Sequence, residues 1–137
     1  MKLFVDTSAF VAVMDHADQF HSAAKTFSDT ISEQAQLITS NYVIDEMITR
    51  LRMTAGADVA TRAAERLWGD DRYRIHTVDR SIEVEALKQL RKYADHRLSF
   101  TDCTSIVFLE QLDIHRVFAF DDDFRKLGYH MVPELHR

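Results

Sequence analysis

The sequence has one cysteine, one proline and three glycines in its 137 residues. A single cysteine, Cys103, excludes an intrachain disulfide and favours a reducing compartment. So little glycine and proline excludes collagen-like structure. A hydrophobic share of 46% indicates a globular core rather than a disordered chain. The length fits one domain, which we expect to span residues 1–137.

Long hydrophobic runs are also missing. No run approaches the roughly 20 apolar residues that a membrane span requires. Near the N-terminus, Asp6 interrupts the short apolar run that follows Lys2, so we expect no signal peptide. The sequence therefore predicts a cytoplasmic protein with no membrane partner.

Short β-rich runs alternate with helical patterns along the chain, which favours an α/β fold with a parallel sheet and helices on both faces. The predicted strands are residues 3–5, 37–39, 73–78, 117–120 and 129–132. Helices are expected at about 9–14, 19–32, 41–53 and 58–68. Two further helices are expected to begin near residues 80 and 100. The expected N-terminal caps are Ser40 or Asn41, Asp58, Asp79, and a capping box from Ser99 to Asp102.

Four acidic residues fall where such folds place ligands. Asp6 and Asp121 follow predicted strands, and α/β sheets bind ligands beyond the carboxyl ends of their strands. Asp102 lies in the first turn of a helix and Glu46 about two turns into another. Each has apolar neighbours in the sequence. Converging carboxylates repel one another, and a hard divalent cation relieves that repulsion.

Each acid also has a local explanation. Asp6 could cap a helix, Asp102 could serve only the capping box, and Glu46 could pair with Arg50 four residues on. Asp121 could belong to a solvated turn. By themselves, these residues indicate a candidate divalent-metal site and leave the local explanations open.

The motifs around these acids carry a resemblance. The chain resembles a PIN domain, and more narrowly the single-domain toxins of VapBC toxin–antitoxin modules, along nearly its whole length and in order. The segments that carry this resemblance are Val5-Asp6-Thr7-Ser8-Ala9, Glu46, Ser99-Phe100-Thr101-Asp102-Cys103-Thr104-Ser105 and Phe118-Ala119-Phe120-Asp121-Asp122-Asp123-Phe124.

The resemblance implies a three-layer α/β/α sandwich with a central, mainly parallel sheet. It also implies a magnesium-dependent endoribonuclease, with Mn²⁺ able to substitute, that hydrolyses RNA and inhibits translation or growth. The catalytic, metal-binding acids map to Asp6, Glu46, Asp102 and Asp121. The expected partners are the RNA substrate, a cognate antitoxin that covers the active site, and a second copy in a homodimer.

One motif departs from the family pattern. Asp123 takes a position that is often histidine, which leaves open whether Asp121 or Asp123 is the fourth acid. Asp121 is preferred because it directly follows the predicted strand. The hydroxyls of Thr7, Ser8 and Ser105 are candidates for contacts with metal ligands or phosphate, or for local caps.

Carboxylate ligands suit Mg²⁺ or Mn²⁺, whereas zinc favours histidine and cysteine, and the histidines show no metal-site spacing. The net charge of −5 argues against a nucleic-acid partner when taken alone. Without the four acids, however, the charge is only −1. Some of the clustered basic residues could form a phosphate track.

Other functions stay open at this stage. A phosphatase that forms an aspartyl phosphate at Asp6 also fits an α/β sheet, but Ser8 stands where a second aspartate is expected. A non-catalytic RNA- or protein-binding PIN-like module, with structural acids, is the other alternative. Cys103 has no nearby histidine, so a buried, inert thiol is expected rather than a nucleophile.

Overall fold

The computed structural model describes residues 1–135, which form five strands and seven helices. The strands are β1 (Lys2–Val5), β2 (Gln36–Ser40), β3 (Tyr73–His76), β4 (Arg116–Phe118) and β5 (His130–Val132). The helices are α1 (Thr7–Met14), α2 (His21–Thr30), α3 (Asn41–Thr54), α4 (Ala57–Trp68), α5 (Arg80–Lys92), α6 (Phe100–Gln111) and α7 (Asp123–Lys126).

The strands form one sheet in the order β3-β2-β1-β4-β5, and every pairing is parallel. The predicted α/β class is confirmed, and the sheet expected to be mainly parallel is entirely so. Chain progression runs from β1 out to β3 and then returns to the other side of β1. The order therefore reverses between β1 and β4, the position where open α/β sheets form a ligand crevice.

Helices cover both faces of this sheet. Phe10 of α1 packs against Tyr73, with ring centroids 5.7 Å apart, and Phe108 of α6 packs against His76 at 5.5 Å. Tyr73 and His76 are three positions apart on β3, so their side chains point to opposite faces. The three-layer α/β/α arrangement is thereby confirmed.

Helix α6 is the most deeply embedded helix. All seven residues from Cys103 to Leu109 are buried, as the nearly continuous apolar run predicts. Burial raises the pKa of the Cys103 thiol to about 11, which keeps it protonated and unreactive near neutral pH. None of the helices within residues 1–135 is long and apolar enough to cross a membrane.

Two local predictions are wrong. Strand β4 ends at Phe118 rather than Phe120, because the Phe120 N–H donates to the Ser8 hydroxyl at 3.0 Å and not to a neighbouring strand. Asp58 does not cap α4. The capping position is Gly56, and Asp58 lies in the first turn, where it pairs with Arg62 at 2.9 Å.

Other boundaries shift by a few residues. Helix α2 is shorter at both ends than the expected 19–32. Strand β3 stops at His76 because the Val78 N–H donates to Asn41 Oδ1 at 2.7 Å, outside the sheet. Ser40, not Asn41, caps α3 by accepting a hydrogen bond from the Val43 N–H at 3.2 Å.

Candidate metal centre

Asp6 lies at the junction of β1 and α1, beside the crevice. Its N–H donates to Phe118 O at 3.0 Å, which extends the pairing of β1 with β4 by one step. Its carboxylate Oδ2 accepts from the Ser8 hydroxyl at 2.9 Å and the Ser8 N–H at 3.3 Å. The side chain therefore caps α1, as the local explanation expected, and is only 2% exposed.

Burial and the negative charges of Asp102 and Asp121 raise the pKa of Asp6 to about 7, against the hydrogen bonds from Ser8, which lower it. Such a shift means that the ionised carboxylate has no sufficient positive partner within the protein. A divalent cation would supply one.

Asp102 lies at the third position of α6 within a complete capping box. The Ser99 N–H donates to Asp102 Oδ2 and the Asp102 N–H donates to Ser99 Oγ, both at 3.0 Å. Burial and the charges of Glu46 and Asp123 raise the pKa of Asp102 to about 6, although the contacts with Ser99 lower it. The predicted capping role is confirmed, and it coexists with repulsion by other acids.

Glu46 and Asp121 complete the set that the sequence singled out. Glu46 is half-buried on α3, and its charge raises the pKa of Asp102. Residues 1–135 contain no ion pair between Glu46 and Arg50. Asp121 is exposed in the loop after β4. Partial desolvation raises its pKa, Arg50 lowers it, and Asp123 and Asp122 raise it further.

The fold thus brings all four acids to one edge of the sheet, close enough to influence one another. Asp123 joins them, since its charge acts on both Asp102 and Asp121. Within residues 1–135, however, no three histidine, cysteine, aspartate or glutamate side chains form a group compact enough to hold a metal ion.

The residues around the acids fit a hard cation. The donor set is carboxylate oxygen, which Mg²⁺ and Mn²⁺ prefer. The hydroxyls of Thr7 and Ser105, next to Asp6 and one turn after Asp102, are buried without a hydrogen-bond partner. Buried polar atoms usually have a partner, so these hydroxyls have spare capacity for a water or ligand in the site.

Sequence reasoning missed two features. Ser8 connects Asp6 to the Asp121 loop, because its hydroxyl donates to Asp6 and accepts from the Phe120 N–H. The same loop is held by Phe20, whose ring stacks on Phe120 at 4.8 Å. No local pattern reveals contacts between residues this far apart in sequence, although the aromatic residue before Asp121 is a weak signal.

The chain is similar to known proteins in sequence. The family profile described as PIN domain matches residues 3–128. VapC20 of Mycobacterium tuberculosis, named a 23S rRNA-specific endonuclease, is 32% identical over 128 residues, which cover 93% of this chain and 95% of that protein. Ribonuclease VapC26 of the same organism is 24% identical over 119 residues, covering 87% and 86%.

A solved structure is also similar. The crystal structure of Mycobacterium tuberculosis VapC20, described as a sarcin–ricin loop cleaving toxin, matches with a TM-score of 0.86 at 29% identity. The match covers 93% of this chain and 95% of that one. From its sequence and its fold, the chain belongs to the PIN-domain family and is a homologue of VapC20.

Proposed function

We propose that this chain is a metal-dependent endoribonuclease, formed by a single PIN domain, that acts as the toxin of a type II toxin–antitoxin pair. Its substrate is RNA, its cofactor is Mg²⁺ with Mn²⁺ able to substitute, and its activity inhibits translation or growth. The homologue VapC20 is named for cleavage of 23S rRNA, which makes ribosomal RNA the first substrate to test.

One observation carries this proposal. Asp6 and Asp102 are desolvated carboxyls with pKa values of about 7 and about 6, and each is raised further by neighbouring acids. A fold keeps such mutually repelling groups together at the expense of stability, unless a cation binds between them. In a PIN domain related to a ribonuclease, a cation at this position serves phosphodiester hydrolysis.

The residues divide the work as follows. Asp6 and Asp102 would hold the cation, and Glu46 and Asp121 would complete the site directly or through water. A bound Mg²⁺ lowers the pKa of its water and neutralises phosphate oxygens. Ser8 fixes the orientation of the Asp6 carboxylate through two hydrogen bonds. Asp123, half-buried at the start of α7, would contact the metal ligands or the phosphate, or replace Asp121 as the fourth acid.

Partners follow from the same proposal. A cognate antitoxin would inhibit the enzyme, and a second copy would form a homodimer. Exposed apolar side chains support contact with another chain: Met53 at the end of α3 is 79% exposed and Trp68 at the end of α4 is 62% exposed. Both lie on the consecutive helices α3 and α4.

The test is cleavage of an end-labelled RNA hairpin that carries the sarcin–ricin sequence, with Mn²⁺ and with EDTA. The wild type should cleave only with metal. Asp121→Asn is the cleanest inactive variant, since Asp121 is exposed and caps no helix. Asp102→Asn, which retains an acceptor for the capping box, should also abolish cleavage. Asp45→Asn, an exposed substitution on the outer side of α3, should leave cleavage unchanged.

Thermal melts of each variant separate loss of chemistry from loss of folding. Cleavage by Asp121→Asn and Asp102→Asn at the wild-type rate would contradict the assignment of the acids. A wild type that cleaves no RNA and shows no thermal shift with Mn²⁺ would instead support the alternative of a non-catalytic binding module.

A further inference from the structure

We propose that Arg50 binds a phosphate of the RNA beside the acidic edge of the sheet; this inference rests on the proposed function. Three observations support it: the position of Arg50 on α3, the absence of a competing partner for its guanidinium, and the charge of its surroundings.

The position follows from the helix period. Tyr42, Glu46 and Arg50 are spaced four residues apart, so they form one ridge along α3. Tyr42 contacts Phe100 at the start of α6, with ring centroids 6.1 Å apart, and its hydroxyl donates to Glu83 of α5. Tyr42 thus fixes this ridge against the elements that present Asp102.

The other two residues of the ridge, Glu46 and Arg50, lie near two of the acids. The charge of Glu46 raises the pKa of Asp102. One turn later, the charge of Arg50 lowers the pKa of Asp121. The ridge therefore extends from the start of α6 to the loop after β4. Arg50 lies at its far end, near enough to that loop for its charge to lower the pKa of Asp121.

The guanidinium of Arg50 has no ion pair and no side-chain hydrogen bond within the part of the chain that the structure describes; only its carbonyl is used, accepting from Thr54. Glu46, four residues earlier, stands in the order that favours a helix ion pair, yet no such pair forms within residues 1–135, and the charge of Glu46 raises the pKa of Asp102. By contrast, Arg62, Arg72 and Arg125 each pair with a nearby aspartate at 2.8–2.9 Å. Arg50 is exposed and available to an external anion.

The surroundings determine which anion fits. An RNA backbone that approaches the five clustered acids is repelled wherever no metal neutralises them. A guanidinium at the edge of the cluster offsets that repulsion and can bind two phosphate oxygens in a fork-like geometry. A phosphate neighbouring the scissile one is the group that this position suits, because the scissile phosphate itself belongs at the metal.

The experiment compares Arg50→Gln with Arg52→Gln. Arg52 is also exposed on α3, but two residues further it points to nearly the opposite side of the helix. In an Asp102→Asn background, which prevents cleavage, we expect Arg50→Gln to weaken binding of the RNA hairpin by about tenfold. It should also reduce the slope of log affinity against log salt by about one. Arg52→Gln should change neither.

Active proteins provide a second readout. Arg50→Gln should raise KM for the hairpin with kcat nearly unchanged, and Arg50→Lys should recover part of the loss because it keeps the charge without the fork. A fall in kcat with constant KM would mean that Arg50 acts only through Asp121, and would overturn the inference.

Failure of this inference differs from failure of the proposed function. If the wild type cleaves with Mn²⁺ while Arg50→Gln and Arg52→Gln bind RNA equally well or equally poorly, Arg50 makes no specific contact and the nuclease stands. If the wild type cleaves nothing but Arg50→Gln alone weakens binding, the nuclease proposal fails and the phosphate contact holds in an RNA-binding protein.

Discussion

At the scale of residues, Asp6 shows how one carboxyl group can serve two purposes. It caps α1 through Ser8 and stands at the crevice with its charge poorly compensated. The sequence motif identified the acid but not its environment. Burial and repulsion by Asp102 are tertiary effects, and they raise its pKa from 3.8 to about 7. The sequence therefore indicated acids that the fold brings near one another, but not the protonation of their carboxyl groups.

This shift makes the metal-free protein sensitive to pH. Between pH 3.8 and about 7 the unfolded Asp6 is ionised while the folded one retains its proton. The free energy of unfolding therefore falls as pH rises through this window. The difference corresponds to roughly 4 kcal/mol above the window. We expect Asp6→Asn, measured by urea unfolding in EDTA, to be more stable than the wild type at about pH 8. Its stability should depend less on pH, and the part of the dependence that comes from Asp102 should remain.

Asp45→Asn is the matched control, because Asp45 is exposed on α3. It should retain the wild-type pH dependence. If the free energy of unfolding of Asp6→Asn follows that of the wild type between pH 4 and 8, the pKa of Asp6 is not raised by its surroundings.

Ser8 gives a second expectation. Its hydroxyl donates to Asp6 and accepts from the Phe120 N–H, and the residue is 7% exposed. Ser8→Ala leaves that N–H without a partner, so we expect a loss of about 1–3 kcal/mol in urea unfolding. The exposed substitution Ser22→Ala on α2 should change stability by less than about 0.5 kcal/mol. Similar values for both would show that the hydrogen-bonded connection from α1 to the loop after β4 contributes little to stability.

At the scale of elements, local sequence predicted most helix starts because side-chain caps are local interactions. Ser40, Asp79 and Ser99 each accept a hydrogen bond from the first turn of the following helix. The prediction failed at α4, where a backbone conformation rather than a side chain defines the start. Gly56 has φ 99° and ψ 166°, a region open almost only to glycine. Asp58, two residues later, is a common capping residue, so the sequence favoured it over Gly56 as the cap.

A substitution at Gly56 measures the energetic cost of this backbone conformation for a residue with a side chain. No atom lies within 4 Å of a Cβ added at Gly56, so the cost is conformational strain alone. We expect Gly56→Ala to destabilise the protein by about 1–3 kcal/mol in urea unfolding. Gly69→Ala is the control, since Gly69 has φ −87° and its added Cβ would lie at ordinary contact distance, 3.4 Å from Glu65 O. Equal effects of the two substitutions would contradict the argument.

At the scale of the molecule, alternation of strands and helices predicted a parallel sheet with two covered faces. It did not predict the order β3-β2-β1-β4-β5, because periodicity identifies strands but not their neighbours. That order determines the site, since it places β1 beside β4 and thus Asp6 near Asp121. Family resemblance supplied what periodicity lacked, by indicating that distant acids in the sequence converge.

Cation binding should be visible in the stability of the whole protein. We expect Mn²⁺ to raise the thermal midpoint of the wild type. At a free Mn²⁺ concentration of a hundred times Kd, binding adds about 2.7 kcal/mol to the free energy of unfolding. The shift should be larger at about pH 8 than at about pH 5, because protons compete with the metal for Asp6 and Asp102. Differential scanning calorimetry of Asp121→Asn should show a smaller shift, whereas Asp45→Asn should match the wild type. A shift that is independent of pH would argue for binding elsewhere.

The strand order also has a consequence for synthesis of the protein. Strand β1 is made first and stays without β4 on one side until almost the whole described chain has left the ribosome. The two acids that flank the crevice are therefore separated during translation, and their convergence waits for the last strands to join the sheet. A partly made chain has Asp6 without Asp121. Under the proposed function, completion of the sheet is thus the step that assembles the cleavage site.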